Sequence, residues 1–390
     1  VNRIFVSGIA LAASAGMASA GGIDRSGQSI GLIFEEGNYA QLSFGSVSPD
    51  VSGAQVIAVP TLAGVIPAGS ESGNMSGSYT QFSLGFKQAY DNGLEMAFIL
   101  DQPFGADVEY PDDETYFAAG STAELSSTAI TGIVKYSLPN NVSVFGGLRY
   151  QSLEAKAYIP FVTASAGPTA GVPYEVDGEK DWGLGYLLGV AYERPDIALR
   201  VALTYNSAID HEIDTYETSA LNPGGLDTVT DVSTPQSLNL EFQSGIAADT
   251  LLFGSVRWVD WSEFDISPQD YDALLDFSRG AGDYSLVSYD DDTTSYSLGL
   301  GRRINETWSA AVTVGYEASA GGFASNLGPT DGRTSIGLAA TYTDGPMKIT
   351  GGVSYVRIGD AETTLDGTSQ ATEFDDNSAI GWGLRIGYAF

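Results

Sequence analysis

The side chains best suited to chemistry in this chain are basic ones set among small neighbours. Lys87, Lys135, Arg149, Arg200, Arg257, Arg302, Lys348 and Arg385 alternate with large apolar residues, and Glu95, Glu241 and Glu317 occupy the same kind of position. Buried charges need partners, so one reading is a network of ion pairs. The other is a path for an anionic ligand head-group. Nucleophilic chemistry is poorly provided for. The 390 residues include no cysteine and one histidine, which excludes a thiol nucleophile and a disulfide framework. His211 follows Asp210 in an acidic stretch. A Ser–His–acid site would need that pair, but the pattern is that of a solvated loop histidine, and no residue is assigned a catalytic role. There is no phosphate loop and no zinc-ligand spacing, so neither cofactor nor metal is expected.

The elements that carry these residues are strands. Residues 379–390, AIGWGLRIGYAF, place Ile380, Trp382, Leu384, Ile386, Tyr388 and Phe390 on one face and Gly381, Gly383, Arg385, Gly387 and Ala389 on the other. The same period of two recurs along the chain, for example at Phe82, Leu84 and Phe86, and at Ile197, Leu199, Val201, Leu203 and Tyr205. Fourteen such segments can be counted from the sequence. Their connections alternate between short and long. Asp91-Asn92-Gly93, Pro139-Asn140-Asn141, Arg194-Pro195-Asp196, Ala248-Asp249-Thr250, Asn305-Glu306 and Asp344-Gly345 suit tight hairpins. Long loops are expected at 48–77, 101–121, 157–181, 207–235, 262–294, 319–332 and 359–378. Most segments reach the about 9–11 residues that cross a bilayer as a strand. The fold expected is all-β, a fourteen-stranded antiparallel transmembrane β-barrel with short periplasmic turns and long extracellular loops.

The N-terminus carries an export signal. Asn2 and Arg3 are polar and basic, residues 4–15 are apolar, and Ala18-Ser19-Ala20 forms an A-x-A cleavage site, so residues 1–20 read as a signal peptide. Residues 21–37 form a short leader and residues 38–390 the barrel. A formal net charge of −32 argues against nucleic-acid partners. The expected location is the outer membrane of a Gram-negative cell, in contact with lipopolysaccharide. The spacing of Tyr388 and Phe390 resembles the C-terminal signal read by the barrel-assembly machinery. A monomer is expected.

The long loops are acidic and partly apolar. Asp112-Asp113-Glu114, Asp290-Asp291-Asp292 and Asp375-Asp376 read as solvated charge. Ile159, Phe161 and Val162 lie in the third long loop. Leu274, Leu275 and Phe277 lie in the fifth, where QDYDALLDFS fits a short amphipathic helix. These six apolar residues either pack on one another or collect an apolar ligand. A barrel of this width is not filled by small side chains, so a channel or another segment must occupy it.

Residues 234–264, TPQSLNLEFQSGIAADTLLFGSVRWVDWSEF, resemble the FadL/TodX family of outer-membrane transporters for long-chain fatty acids and hydrophobic compounds. Their Pro-Gln-Ser-Leu opening and Trp258-x-x-Trp261-Ser262 ending carry the match. Residues 47–53, 102–105 and 327–329 are similar as well. The resemblance implies a fourteen-stranded barrel, a lumenal hatch and a kink in the third strand that opens the wall sideways. Here the leader is a reduced hatch that lacks the family's Asn-Pro-Ala type motif. Pro103, Phe104 and Gly105 stand where the kink would lie, since proline removes a ladder donor and glycine weakens pairing. The family's ligand carboxylate meets basic residues near the fifth strand, which implies Arg149 and Lys156. Arg200, two strands from Arg149, is expected within reach of the same carboxylate. The function implied is passive uptake of a hydrophobic small molecule, most simply a long-chain fatty acid. A general diffusion porin for small polar solutes is the alternative.

Overall fold

In the computed structural model, residues 22–61, 64–160, 173–282 and 284–390 are described. The signal-peptide expectation falls on residues outside that set, as do Phe161 and Val162. The remainder is a closed fourteen-stranded antiparallel barrel. Its strands are β1 (Tyr39–Asp50), β2 (Tyr79–Ala89), β3 (Leu94–Asp101, resuming at Gly105–Glu109), β4 (Thr122–Ser137), β5 (Val142–Ile159), β6 (Tyr174–Gly178 and Asp181–Arg194) and β7 (Leu199–Asn206 and Ile209–Thr218). They continue as β8 (Leu226–Thr234 and Ser237–Ala247), β9 (Thr250–Val259), β10 (Thr293–Arg303), β11 (Trp308–Glu317), β12 (Arg333–Asp344), β13 (Met347–Ile358) and β14 (Ser378–Ala389). The sheet closes where β14 pairs with β1, from Tyr39↔Ala389 to Asp50↔Ser378.

The period of two becomes an inside and an outside. Leu42, Phe44, Leu148, Leu184, Leu338, Val353 and Ile380 are exposed on the outer face. An apolar belt this extensive is far larger than a water-facing monomer tolerates, and it matches the band that a barrel turns to lipid. Aromatics bound it. On β11, Trp308 and Tyr316 are both exposed with Val312 and Val314 between them. Eight residues at about 3.3 Å each separate the two rings by roughly 26 Å along a tilted strand, close to the height of such a band. No helix among the described residues is long and apolar enough to cross a membrane.

One expected loop is a wall instead. Residues 207–235 read as an extracellular connection, but most of them form a hairpin, β7 continuing through Thr218 and β8 starting at Leu226. His211, Ile213, Thr215 and Glu217 are buried on its inner face, and Asp210, Glu212, Asp214 and Tyr216 are exposed on its outer face. The alternation is as strict as in the strands whose outer face is apolar. Its outer face is acidic, where the rest of the outer face is apolar.

The fifth long loop contains the expected helix, α1 (Gln269–Arg279). No side chain of its own turn caps it. Glu217 of β7 does so, accepting the backbone N–H of Asp270 (3.0 Å) and Tyr271 (3.2 Å). The same carboxylate accepts the hydroxyls of Tyr174 (2.7 Å) and Thr228 (2.6 Å). Burial, and then Glu217 beside it, push the Tyr174 phenol well above its usual range. Glu217→Ala removes all four acceptor contacts. Hydrogen bonds to a charged group are each worth about 1.5–3 kcal/mol. Amide exchange in residues 269–279 should therefore accelerate by at least one order of magnitude, while exchange in β9–β14 stays unchanged.

Candidate functional site

The leader fills the lower lumen. Residues 31–34 make one 3₁₀ turn, and Ile30, Leu32, Ile33 and Phe34 are buried against Ala97, Ile99, Ile133, Phe145 and Leu187 of the wall. Phe34 meets Phe145 edge-on at 5.8 Å, and its ring lies under Lys135 (4.8 Å) and Arg200 (4.6 Å). Glu35 holds Lys348 of β13 at 3.0 Å, and its carbonyl accepts from Lys87 of β2. Higher up, Asp24 takes two N–H groups of Arg257, at 2.8 and 2.7 Å, in a pair whose side chains are 0% and 6% exposed. Gln28 and Gly27 accept from Ser237 and Asn239. A segment without periodicity is thus ordered by partners on many strands.

The top of the leader ends at a break in the wall. β3 pairs with β4 at Asp101↔Ala129 and again at Gly105↔Ser126. Four steps on β3 oppose three on β4, so β3 carries one extra residue between them. On its other side β3 pairs with β2 only from Leu84↔Leu100 downward. The Phe82 N–H is taken by the Gln102 side chain at 3.1 Å rather than by a strand. Pro103 turns its carbonyl to the backbone N–H of Arg25 and Ser26 (2.8 and 3.3 Å), and Gly105 donates to Ile23 (2.9 Å). Phe104 is buried and meets Trp261 edge-on at 6.0 Å.

Two cavities meet there. One, of 220 Å³, lies in the upper lumen among Met75, Val108, Leu125, Ile213, Val232 and Phe264, with Asp107 and Arg333 at its polar edge. The second, of 140 Å³, runs beside the break past Gln81, Phe82, Ser83 and Gln102. Arg25 and Tyr79 line both. The Arg25 guanidinium lies over the Tyr79 ring at 4.0 Å and pairs with Asp107 at 2.5 Å. It also fills the notch left by Gly105, where any Cβ would collide with the guanidinium.

The sequence matches the family described as outer membrane protein transport protein (OMPP1/FadL/TodX) over residues 53–390. The chain belongs to that family. Solved structures of similar fold include a Pseudomonas aeruginosa FadL homologue, at TM-score 0.75 and 14% identity over 97% of this chain and 98% of that one. The Pseudomonas putida toluene transporter TodX aligns at 0.65 and 13% over 98% of both chains. The Ralstonia pickettii toluene transporter TbuX aligns at 0.61 and 15% over 92% and 91%. No curated relative matches the sequence.

Within this FadL/TodX-family barrel, the three basic residues named from the sequence do not converge. Arg149 is buried, donates to Thr131 (3.1 Å) and Asn206 (3.2 Å), and interacts with Asp101 rather than with Glu95 or Glu241. Lys156 lies seven residues on in a strand whose pairing with β4 is regular throughout, so it falls on the opposite face. There it is half exposed and holds Asp177 at 3.0 Å. Arg149 stands opposite Gly185 of β6, and Arg200 opposite Glu193. Eight residues of strand separate them, about 26 Å at 3.3 Å each. Counting strands between the two arginines gives a short separation; register makes it long, and Arg200 is covered by Phe34.

The other candidates divide. Pro103, Phe104 and Gly105 form the break. Leu274 and Leu275 are buried against Tyr174, Val176 and Ala157, and Ile159 is partly buried beside them, so these apolar residues pack rather than collect. Phe277 is 60% exposed and is the member of the helix free to touch a ligand. His211 is buried, not solvated. Its ring nitrogens meet Gln151 (3.3 Å) and Asp181 (3.2 Å). Sequence reasoning misses the Arg25–Asp107 and Arg257–Asp24 pairs as site elements. Arg257 is legible as inward-facing, but nothing local links it to Asp24, 233 residues away. Among the described residues no group of acidic and histidine side chains is arranged to hold a metal.

Proposed function

We propose that this barrel resides in an outer membrane as a monomer and is a passive uptake channel for hydrophobic small molecules, released sideways between β2 and β3. The observation that carries the reading is the joint placement of an apolar upper cavity, a filled lower lumen and a break in the wall at the boundary between them. A molecule entering from the loop end finds greasy walls, is stopped below by residues 30–34, and has the gap beside Phe82 and Gln102 as its way out. Lateral exit keeps an apolar solute in an apolar phase and bypasses the polar lipopolysaccharide layer. Long-chain fatty acids, implied by the sequence resemblance, and toluene, named for two structural neighbours, both belong to this substrate class. No covalent step is part of the proposal. Insertion through Tyr388 and Phe390 by the barrel-assembly machinery belongs to the same reading.

The test pairs two measurements on the full-length protein. In planar bilayers it should pass no large steady ion current, because residues 30–34 close the lumen. Cells producing it should take up radiolabelled oleate or toluene faster than cells without it. A steady large current with no gain in uptake would make the protein a diffusion porin and overturn the proposal.

A further inference from the structure

Two arginines reach the upper cavity, and neither presents an open charge to it. Arg25 is covered on one side by the Tyr79 ring, fits the Gly105 notch, and is neutralised by Asp107. Its Nε is buried without an acceptor, so the group is held mainly by charge and contact. Arg333 is held by Glu317 at 3.0 Å, and that carboxylate is itself 4% exposed. Just below, Arg257 is matched by Asp24. Lys156, at the cavity's margin, is held by Asp177 at 3.0 Å, and Glu124 adds a further carboxylate, so every cation here has a carboxylate partner and the cavity has no surplus positive charge. The loops above add Asp112, Asp113, Glu114, Asp290, Asp291 and Asp292 in a chain of net charge −32. A carboxylate approaching this end meets a repulsive field, and once inside it loses its hydration without gaining a counter-ion. An uncharged molecule of the same length meets neither penalty. The volume of 220 Å³ is adequate for a short-chain or one-ring molecule, since a cavity of about 150 Å³ holds benzene.

We infer that the channel selects on charge, admitting uncharged hydrophobic molecules ahead of carboxylates of equal chain length, and that Asp107 and Glu317 set this preference by masking Arg25 and Arg333. This rests on the transport reading above. An anion-binding arginine becomes available only when its resident carboxylate is removed, because the guanidinium otherwise spends its charge-assisted contacts within the wall.

The experiment is calorimetric titration of the full-length protein in nanodiscs with octan-1-ol and with octanoate at pH 8, where the acid is ionised, each corrected for partition into empty nanodiscs. The wild type should bind the alcohol at least tenfold more tightly. Asp107→Asn, which keeps shape and removes charge, should raise octanoate affinity at least tenfold and so narrow the alcohol-to-octanoate ratio by a similar factor. Glu317→Gln should act in the same direction and guards against a folding defect in the first variant. Equal wild-type affinities would overturn the inference and leave the transport reading standing. So would variants that bind alcohol normally without gaining octanoate. Failure of the wild type to bind either ligand would remove both.

Discussion

Asp24→Ala should release the leader from the lumen. Arg257 would be left buried beside Ser237 and Asn239 with no countercharge. Removing one member of a buried ion pair costs about 3–5 kcal/mol, mostly as the penalty on the charge left behind. Because the leader is held by discrete contacts, that cost falls on its docking rather than on the barrel ladders. Amide exchange across residues 23–34 should accelerate by two to three orders of magnitude, while β9–β14 remain protected. Replacing both partners, Asp24→Leu with Arg257→Met, should restore most of the protection, since an apolar pair of similar size has no charge to strand. Unchanged exchange in Asp24→Ala would show that the apolar turn at residues 30–34 anchors the leader alone.

Deleting Pro103 should abolish uptake and leave a folded barrel. The deletion removes the one extra residue between Asp101↔Ala129 and Gly105↔Ser126, so the β3–β4 ladder becomes continuous. The β2–β3 register, extended upward from Leu84↔Leu100, then brings Phe82 opposite Gln102. The Phe82 N–H pairs with backbone instead of the Gln102 side chain, and the gap closes. Transport of radiolabelled substrate should fall to that of cells lacking the protein, with the heat-modifiable folded band retained. Normal uptake by a folded deletion variant would place the exit elsewhere.

The barrel is legible in the sequence because its outer face is read two residues at a time, and Ile380, Trp382 and Leu384 signal it within one strand. The turns are legible for a local reason too: Gly93 at φ +80° and Gly345 at +55° sit where a left-handed residue is required. The interruption of β3 has a local signal, Pro103 and Gly105 on either side of Phe104. What stays hidden depends on partners distant in sequence. The leader's place inside the barrel is obscure because Asp24, Gln28 and Glu35 find their partners in β9, β8 and β13. The Arg149–Arg200 separation is misjudged because strand register is absent from a one-strand pattern. The hairpin above the barrel reads as a loop because its outer side chains are Asp210, Glu212 and Asp214, which look like solvated charge whether or not the backbone is a strand. His211 follows them into that error, although Ile213 and Thr215 share its face.

Glu35 has a consequence for how the molecule is made. It binds Lys87 of β2 and Lys348 of β13, which flank the β14–β1 seam on either side. The strands β1 and β14 are the most distant in sequence to meet in the sheet, so their joining carries the largest loop-closure entropy and belongs late in folding. A leader already seated inside brings both margins of the open sheet to one residue before the last ladder zips. It also checks the zipper: a slip by two residues would move Lys348 by about 6–7 Å relative to β1 and take it out of reach of Glu35. The segment that lies inside the finished barrel is thereby also the gauge against which its final seam is set.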